Sequence, residues 1–98
     1  MRKLIRDNLA EVISAKDLKK STDDDDFINL LLAKLDEELE ELAFSDYKDV
    51  EEYADVFEVL FAIAKFHGMS REDVINTRIK KFDKRGGFDK RLILDRKD

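Results

Sequence analysis

The chain has no cysteine, no proline and no tryptophan, only three glycines and one histidine. It also has no apolar run approaching bilayer length. Each shortage removes a class of molecule. Without cysteine there is no disulfide framework and no thiolate to bind zinc or attack a substrate. A single histidine cannot build a His-rich zinc site. Scarce glycine and absent proline disfavour the turn-dense sandwiches and barrels. No G-x-x-x-x-G-K-[ST] segment is present, so a P-loop is excluded. The opening "MRKLIRDNLAEV" interrupts its apolar residues with charge, unlike a signal peptide, so the expected setting is a reducing cytoplasm with no membrane partner.

What remains is rich in Leu, Ile, Ala, Lys, Glu and Asp, with 44% of residues charged. That composition favours long helices joined by short connections. The 98 residues suit one all-α domain, 1–98, with one modest core. A net charge of -5 argues against a nucleic-acid polymer as partner, since such affinity comes largely from Lys and Arg neutralising phosphates. The charge is unevenly spread. Acids crowd residues 23–58, whereas "RIKKFDKRGGFDKR", residues 78–91, is strongly basic. Two readings follow: solvated helix faces of opposite sign, or an acidic metal-binding wall facing a basic phosphate-binding one.

Hydrophobic spacing predicts four helices. The first, Lys3 to Ala15, gathers Leu4, Ile5, Leu9, Val12 and Ile13 on one broad face. The second follows the acidic run Asp23–Asp26, which suits the positive end of a helix dipole, and continues to Phe44. That run lacks the alternating ligands, central glycine and closing glutamate of an EF-hand. Ser45 is the expected cap of the third helix, which ends at His67 with Gly68 as a left-handed stop. The lone His67 reads as a surface residue at that helix end. "SRED", residues 70–73, is a capping sequence for the fourth helix, which runs to Arg85 and stops at Gly86-Gly87. The tail "FDKRLILDRKD" can dock only as an extended segment.

Within this pattern several acids are out of place. At 100° per residue Leu31, Leu35, Leu39 and Leu42 fall within about 80° of one another. Glu38 lies inside or beside that sector, Glu41 on the neighbouring strip, and Glu40 nearly opposite. On the third helix Glu52, Asp55 and Glu58 descend at three-residue spacing between apolar sectors. An ionised carboxylate in a dry interior costs several kcal/mol, and like charges one turn away add to that. Compensation can come from the basic residues Arg78, Lys80, Lys81, Lys84 and Arg85, from a water-filled groove, or from divalent cations. The last would use hard oxygen donors converging across a helix hairpin, which suits Mg²⁺ or Mn²⁺.

The segments Glu37-Glu38-Leu39-Glu40-Glu41 and Glu52-Tyr53-Ala54-Asp55 resemble the E-E-x-x-E and E-x-x-D hallmark of the all-α nucleoside triphosphate pyrophosphatase superfamily, which includes MazG-like and phosphoribosyl-ATP pyrophosphohydrolase-like proteins. "KLIRDNL" is similar to that family's opening. "EEYADVFEVLFAIAKFHGMSREDV" is similar to its third helix and turn, and "KKFDKRGGFDKRLIL" to its basic end. Asn8, where the family commonly has lysine, and the lack of proline near Leu9-Ala10 depart from the pattern. The resemblance implies a four-helix, MazG-like bundle with an extended C-terminal tail, completed by assembly into a homodimer or homotetramer. Exposed apolar residues of the third helix, from Val50 to Phe66, would be covered in that assembly.

It further implies Mg²⁺, with Mn²⁺ as a substitute, on Glu38, Glu41, Glu52 and Asp55, with Glu58 as a further ligand. Glu37 and Glu38 would take part in water activation. Lys3, Arg6, Lys81, Lys84 and Arg85 would contact a nucleotide substrate, their alternative being ordinary salt bridges. The implied reaction is cleavage of a nucleoside triphosphate to the monophosphate and pyrophosphate. Phosphoribosyl-ATP hydrolysis and a noncatalytic nucleotide-sensing module are the alternatives.

Overall fold

The computed structural model describes residues 2–97 and is all-helical, with no strand among the described residues. Three α-helices carry it: α1, Asp24–Phe44; α2, Val50–Phe66; and α3, Arg71–Arg85. The acidic run starts α1 as expected. Asp23 is its N-cap, its carboxylate accepting the Asp25 N–H at 2.9 Å, and Asp24, Asp25 and Asp26 fill the first turn.

Ser45 has a different place from the one expected. It closes α1 rather than opening α2, with its hydroxyl donating to the Leu42 carbonyl at 2.7 Å. Asp46 and Tyr47 then take left-handed backbone angles, φ 56° and 61°, so no helix can start until the chain leaves that turn. The cap of α2 is Asp49, which accepts the Glu51 N–H at 2.9 Å. The Tyr53 hydroxyl donates back to the Tyr47 carbonyl at 3.0 Å and ties the turn to α2.

The stop and restart between α2 and α3 follow the sequence. Gly68 has φ 85°, and the Met69 N–H reaches the Ala64 carbonyl at 2.9 Å. His67 is exposed and its Nδ1 donates to the Ile63 carbonyl at 2.9 Å. Ser70 and Asp73 form a reciprocal capping box on α3.

The expected first helix over residues 3–15 does not form. That segment runs extended to Arg6, then makes 3₁₀ turns at Asp7–Glu11 and Ala15–Asp17. A 13-residue helix is marginal in isolation, at about the length where nucleation is barely repaid. This one has no side-chain cap, and Val12 and Leu9 of its apolar face remain exposed. The extended form instead lays Leu4 and Ile5, both half-buried, on the α1–α2 hairpin.

The core is thin. Among apolar residues Leu31, Leu42, Val59 and Ala64 are buried, and Phe27 meets Phe66 with ring centroids 5.9 Å apart. All of α3 is exposed except the half-buried Ile75, and α3 packs against α2 far less extensively than α1 does. The chain is therefore an α1–α2 hairpin with an N-terminal strap and a projecting α3, not a closed four-helix bundle. No helix among the described residues is long and apolar enough to cross a membrane.

Candidate metal centre

The α1–α2 hairpin brings the two acidic segments face to face. One carboxylate oxygen from each of Glu38, Glu52 and Asp55 lies within 4.8 Å of the others, and the same holds for Glu37, Glu38 and Glu41. Glu38 belongs to both triads. It is also the one buried charged residue among the described residues, 7% exposed, occupying the leucine-like position on α1. Its Oε2 and the Oε2 of Glu52 are buried and have no hydrogen-bond partner. Buried polar atoms are nearly always paired, so these two oxygens each have capacity for one more partner, whether a proton, a water or a cation.

The electrostatics divide the cluster. Burial, followed by the nearby Glu41 and Asp55, pushes the Glu38 carboxyl above its ordinary range, with Lys34 opposing. Burial again comes first for Glu52, joined by Glu41, Asp55 and Glu38, and its carboxyl is likewise raised. Glu37 behaves in the opposite sense. Burial pushes it up, but hydrogen bonds from Lys34 and Lys3 outweigh this and hold it below the usual range.

Three basic residues reach the acids. Arg6 donates to Asp55 Oδ1 at 2.9 Å, and Lys3 Nζ lies 3.3 Å from Glu37 Oε1. Lys34 Nζ lies 3.3 Å from Glu37 Oε2 and 3.6 Å from Glu38 Oε1. Arg2 adds a pair to Asp26 at 2.7 Å, which holds that carboxyl below its usual range. The strap is thus pinned over the hairpin by Arg2, Lys3 and Arg6. Beneath it a cleft of about 1290 Å³ is walled by Arg6, Lys34, Glu38, Asp55 and Glu58 together with apolar residues such as Leu31 and Phe66.

The partners that composition offered on α3 are not the ones used. Lys81, Lys84 and Arg85 pair with no acid among the described residues, and Lys81 and Arg85 line a separate hollow with Phe82 and Phe88. Glu58 stands exposed on the cleft wall, outside both triads. A three-residue step falls about 60° short of a full turn, so by Glu58 the stripe has rotated about 120° away from Glu52.

Lys34 is the basic neighbour of the acids that the sequence pattern left unmarked. Its signal was present: it precedes Glu37 by three residues and Glu38 by four, the spacings that meet on a helix surface.

The donor set fits a hard divalent cation. Every candidate ligand is a carboxylate oxygen, the Glu38, Glu52 and Asp55 triad converges from two helices, and two buried oxygens are unpartnered. Comparison with protein-family models, with curated proteins and with solved structures finds no match to this chain.

Proposed function

We propose that this chain is a Mg²⁺-dependent nucleotide pyrophosphohydrolase, cleaving a nucleoside triphosphate and water to the monophosphate and pyrophosphate, as its resemblance to the MazG-like superfamily implies. The observation that carries the reading is the pair of buried, unpartnered oxygens of Glu38 and Glu52 inside a converging carboxylate cluster. Glu38, Glu41, Glu52 and Asp55 would hold the ion, and Mn²⁺ suits the same oxygen set. An ion held there would supply charge neutralisation toward the triphosphate and Lewis-acid activation of the attacking water.

The chain's own residues supply the rest. Glu37, engaged by two lysines and held ionised, is better suited to positioning them than to accepting a proton. Arg6 stands beside Asp55 at the cleft wall, where its guanidinium can pass from carboxylate to phosphate, and Lys3 is anchored next to it on Glu37. Lys81, Lys84 and Arg85 lie apart from the cluster in one chain. Their contact with substrate would cross a subunit boundary.

That links the activity to assembly into a homodimer or homotetramer. Val50, Tyr53, Phe57 and Leu60 of α2 and Leu32 and Leu39 of α1 are exposed, an apolar surface that a second copy would bury.

The test is pyrophosphate release from canonical and modified nucleoside triphosphates and from phosphoribosyl-ATP, with Mg²⁺ and with chelator. Metal-dependent release from one of them is expected. Silence across the panel from folded protein would remove the hydrolase reading and leave a nucleotide-binding module.

A further inference from the structure

The two triads share Glu38, yet they are not equivalent. Lys34 projects from α1 with its side chain only 17% exposed, a burial that lysine rarely accepts without charged partners. Its ammonium lies between Glu37 Oε2 and Glu38 Oε1, at 3.3 and 3.6 Å. Lys3 approaches the other oxygen of Glu37 at 3.3 Å. Both Glu37 oxygens and one Glu38 oxygen therefore already face cations. On the far side, Glu38 Oε2 and Glu52 Oε2 are buried and have none.

We infer that the chain holds one divalent cation, at the Glu38, Glu52 and Asp55 end of the cluster, and that the Lys34 ammonium occupies the place a second cation would take between Glu37 and Glu38. The inference rests on the metal-binding part of the proposed function and adds the count and location of the ion.

Charge balance points the same way. The five carboxylates Glu37, Glu38, Glu41, Glu52 and Asp55 meet three basic groups, Lys3, Lys34 and Arg6, an excess of two negative charges when all are ionised. One divalent ion neutralises that excess. A second would make the site as positive as it was negative, and would have to sit a few ångströms from an ammonium whose side chain is only 17% exposed. Ammonium is also a compact point charge with three donors, so it can fill a corner between carboxylates without the tight octahedral shell that Mg²⁺ demands. Lys34 is thus a positioning residue: it fixes Glu38 so that Oε1 is occupied and Oε2 is directed to the ion.

The test is titration of the full-length chain with Mn²⁺, followed by electron paramagnetic resonance of the free ion and by calorimetry. The wild-type protein should bind one equivalent per chain. Glu52→Gln should weaken that binding at least tenfold. Lys34→Gln should gain a second equivalent, and Lys34→Arg should keep one. If circular dichroism shows Lys34→Gln to be unfolded, Lys34→Met, whose unbranched chain fills the same half-buried space, replaces it with the same expectation.

Two equivalents on the wild-type chain, or one equivalent on both wild type and the neutral Lys34 variant, would overturn the inference. So would full binding by Glu52→Gln. Those failures leave pyrophosphate release untouched. Loss of pyrophosphate release alongside one bound equivalent would do the reverse, removing the hydrolase reading and keeping the ion. Absence of Mn²⁺ binding would end both.

Discussion

Glu38 and Glu52 stand apart at the residue scale, because burial and neighbouring acids make their carboxyls prefer the proton more than an ordinary glutamate does. An acid whose pKa is raised on folding penalises the fold fully at pH above the raised value, and the penalty is relieved as pH falls through it toward the unfolded value near ~4.3. Glu38 faces Glu41, Asp55, Glu52 and Lys34, so the acids outnumber the base around it. Metal-free protein should therefore show a rising Tm as pH is lowered from 7 toward about 5. Glu37, Asp26 and Asp73 have lowered carboxyls, so what they contribute is lost only below the ordinary carboxylate range. Saturating Mg²⁺ should flatten the rise, since the cation takes the place of the proton. Thermal scans across that range with and without Mg²⁺ check it, and a metal-free Tm that falls steadily from pH 7 to 5 would refute the assignment.

The anomaly of Glu38 was legible in the sequence, because it stands where the leucine spacing asks for an apolar residue. Its inner and outer partners were less so. Lys34 does not stand out in the sequence because a lysine four residues from a glutamate is the usual dress of a solvated helix face. Only the packing of α2 against α1 makes that pair half-dry.

At the scale of elements, local capping chemistry proved readable where it is short-range. Asp23, Gly68 and the Ser70–Asp73 box act where they were expected. Ser70→Ala should cost about 1 kcal/mol, the usual value of such a cap, measured by urea denaturation with helicity as the signal. Ser45 misled because it stands next to a left-handed turn at Asp46 and Tyr47, a backbone choice that neither residue type announces.

The N-terminal segment misled for a different reason. Its apolar spacing is helical, but in the extended form three long cations reach the acidic hairpin together, Arg2 at Asp26, Lys3 at Glu37 and Arg6 at Asp55. That strap shares Asp55 with any bound ion. The Arg6–Asp55 pair is half-exposed and worth about 0–1 kcal/mol. Arg6→Gln should accordingly tighten Mg²⁺ binding, by up to about fivefold in calorimetry. An unchanged or weaker affinity would show that arginine and ion do not compete for that carboxylate.

At the scale of the whole molecule, the radius of gyration is 17.4 Å, against about 13 Å for a compact chain of this length. The excess reflects α3 and the tail standing away from the hairpin, with Phe82, Leu92, Ile93 and Leu94 all exposed. An all-α class could be read from composition, but closure of a bundle could not, because the number of faces a helix buries depends on what packs against it. Phe57 is 53% exposed on α2 and stacks on Phe61. If assembly covers this surface, Phe57→Glu should convert an oligomer to a monomer in size-exclusion chromatography with light scattering. A wild-type monomer would contradict the proposed assembly.

The central claim is that the buried charge of Glu38 is there for a cation, and it is tested most directly by the thermal stability of wild type and Glu38→Gln at neutral pH, each with and without Mg²⁺. The account predicts that Mg²⁺ raises the wild-type Tm and leaves the variant unmoved. It also predicts that the metal-free variant melts higher than the metal-free wild type, on the order of 5 °C, the shift that about 1 kcal/mol produces in a domain of this size. A variant that melts lower than wild type, with Mg²⁺ affecting neither, would mean that Glu38 serves only its ion pair with Lys34.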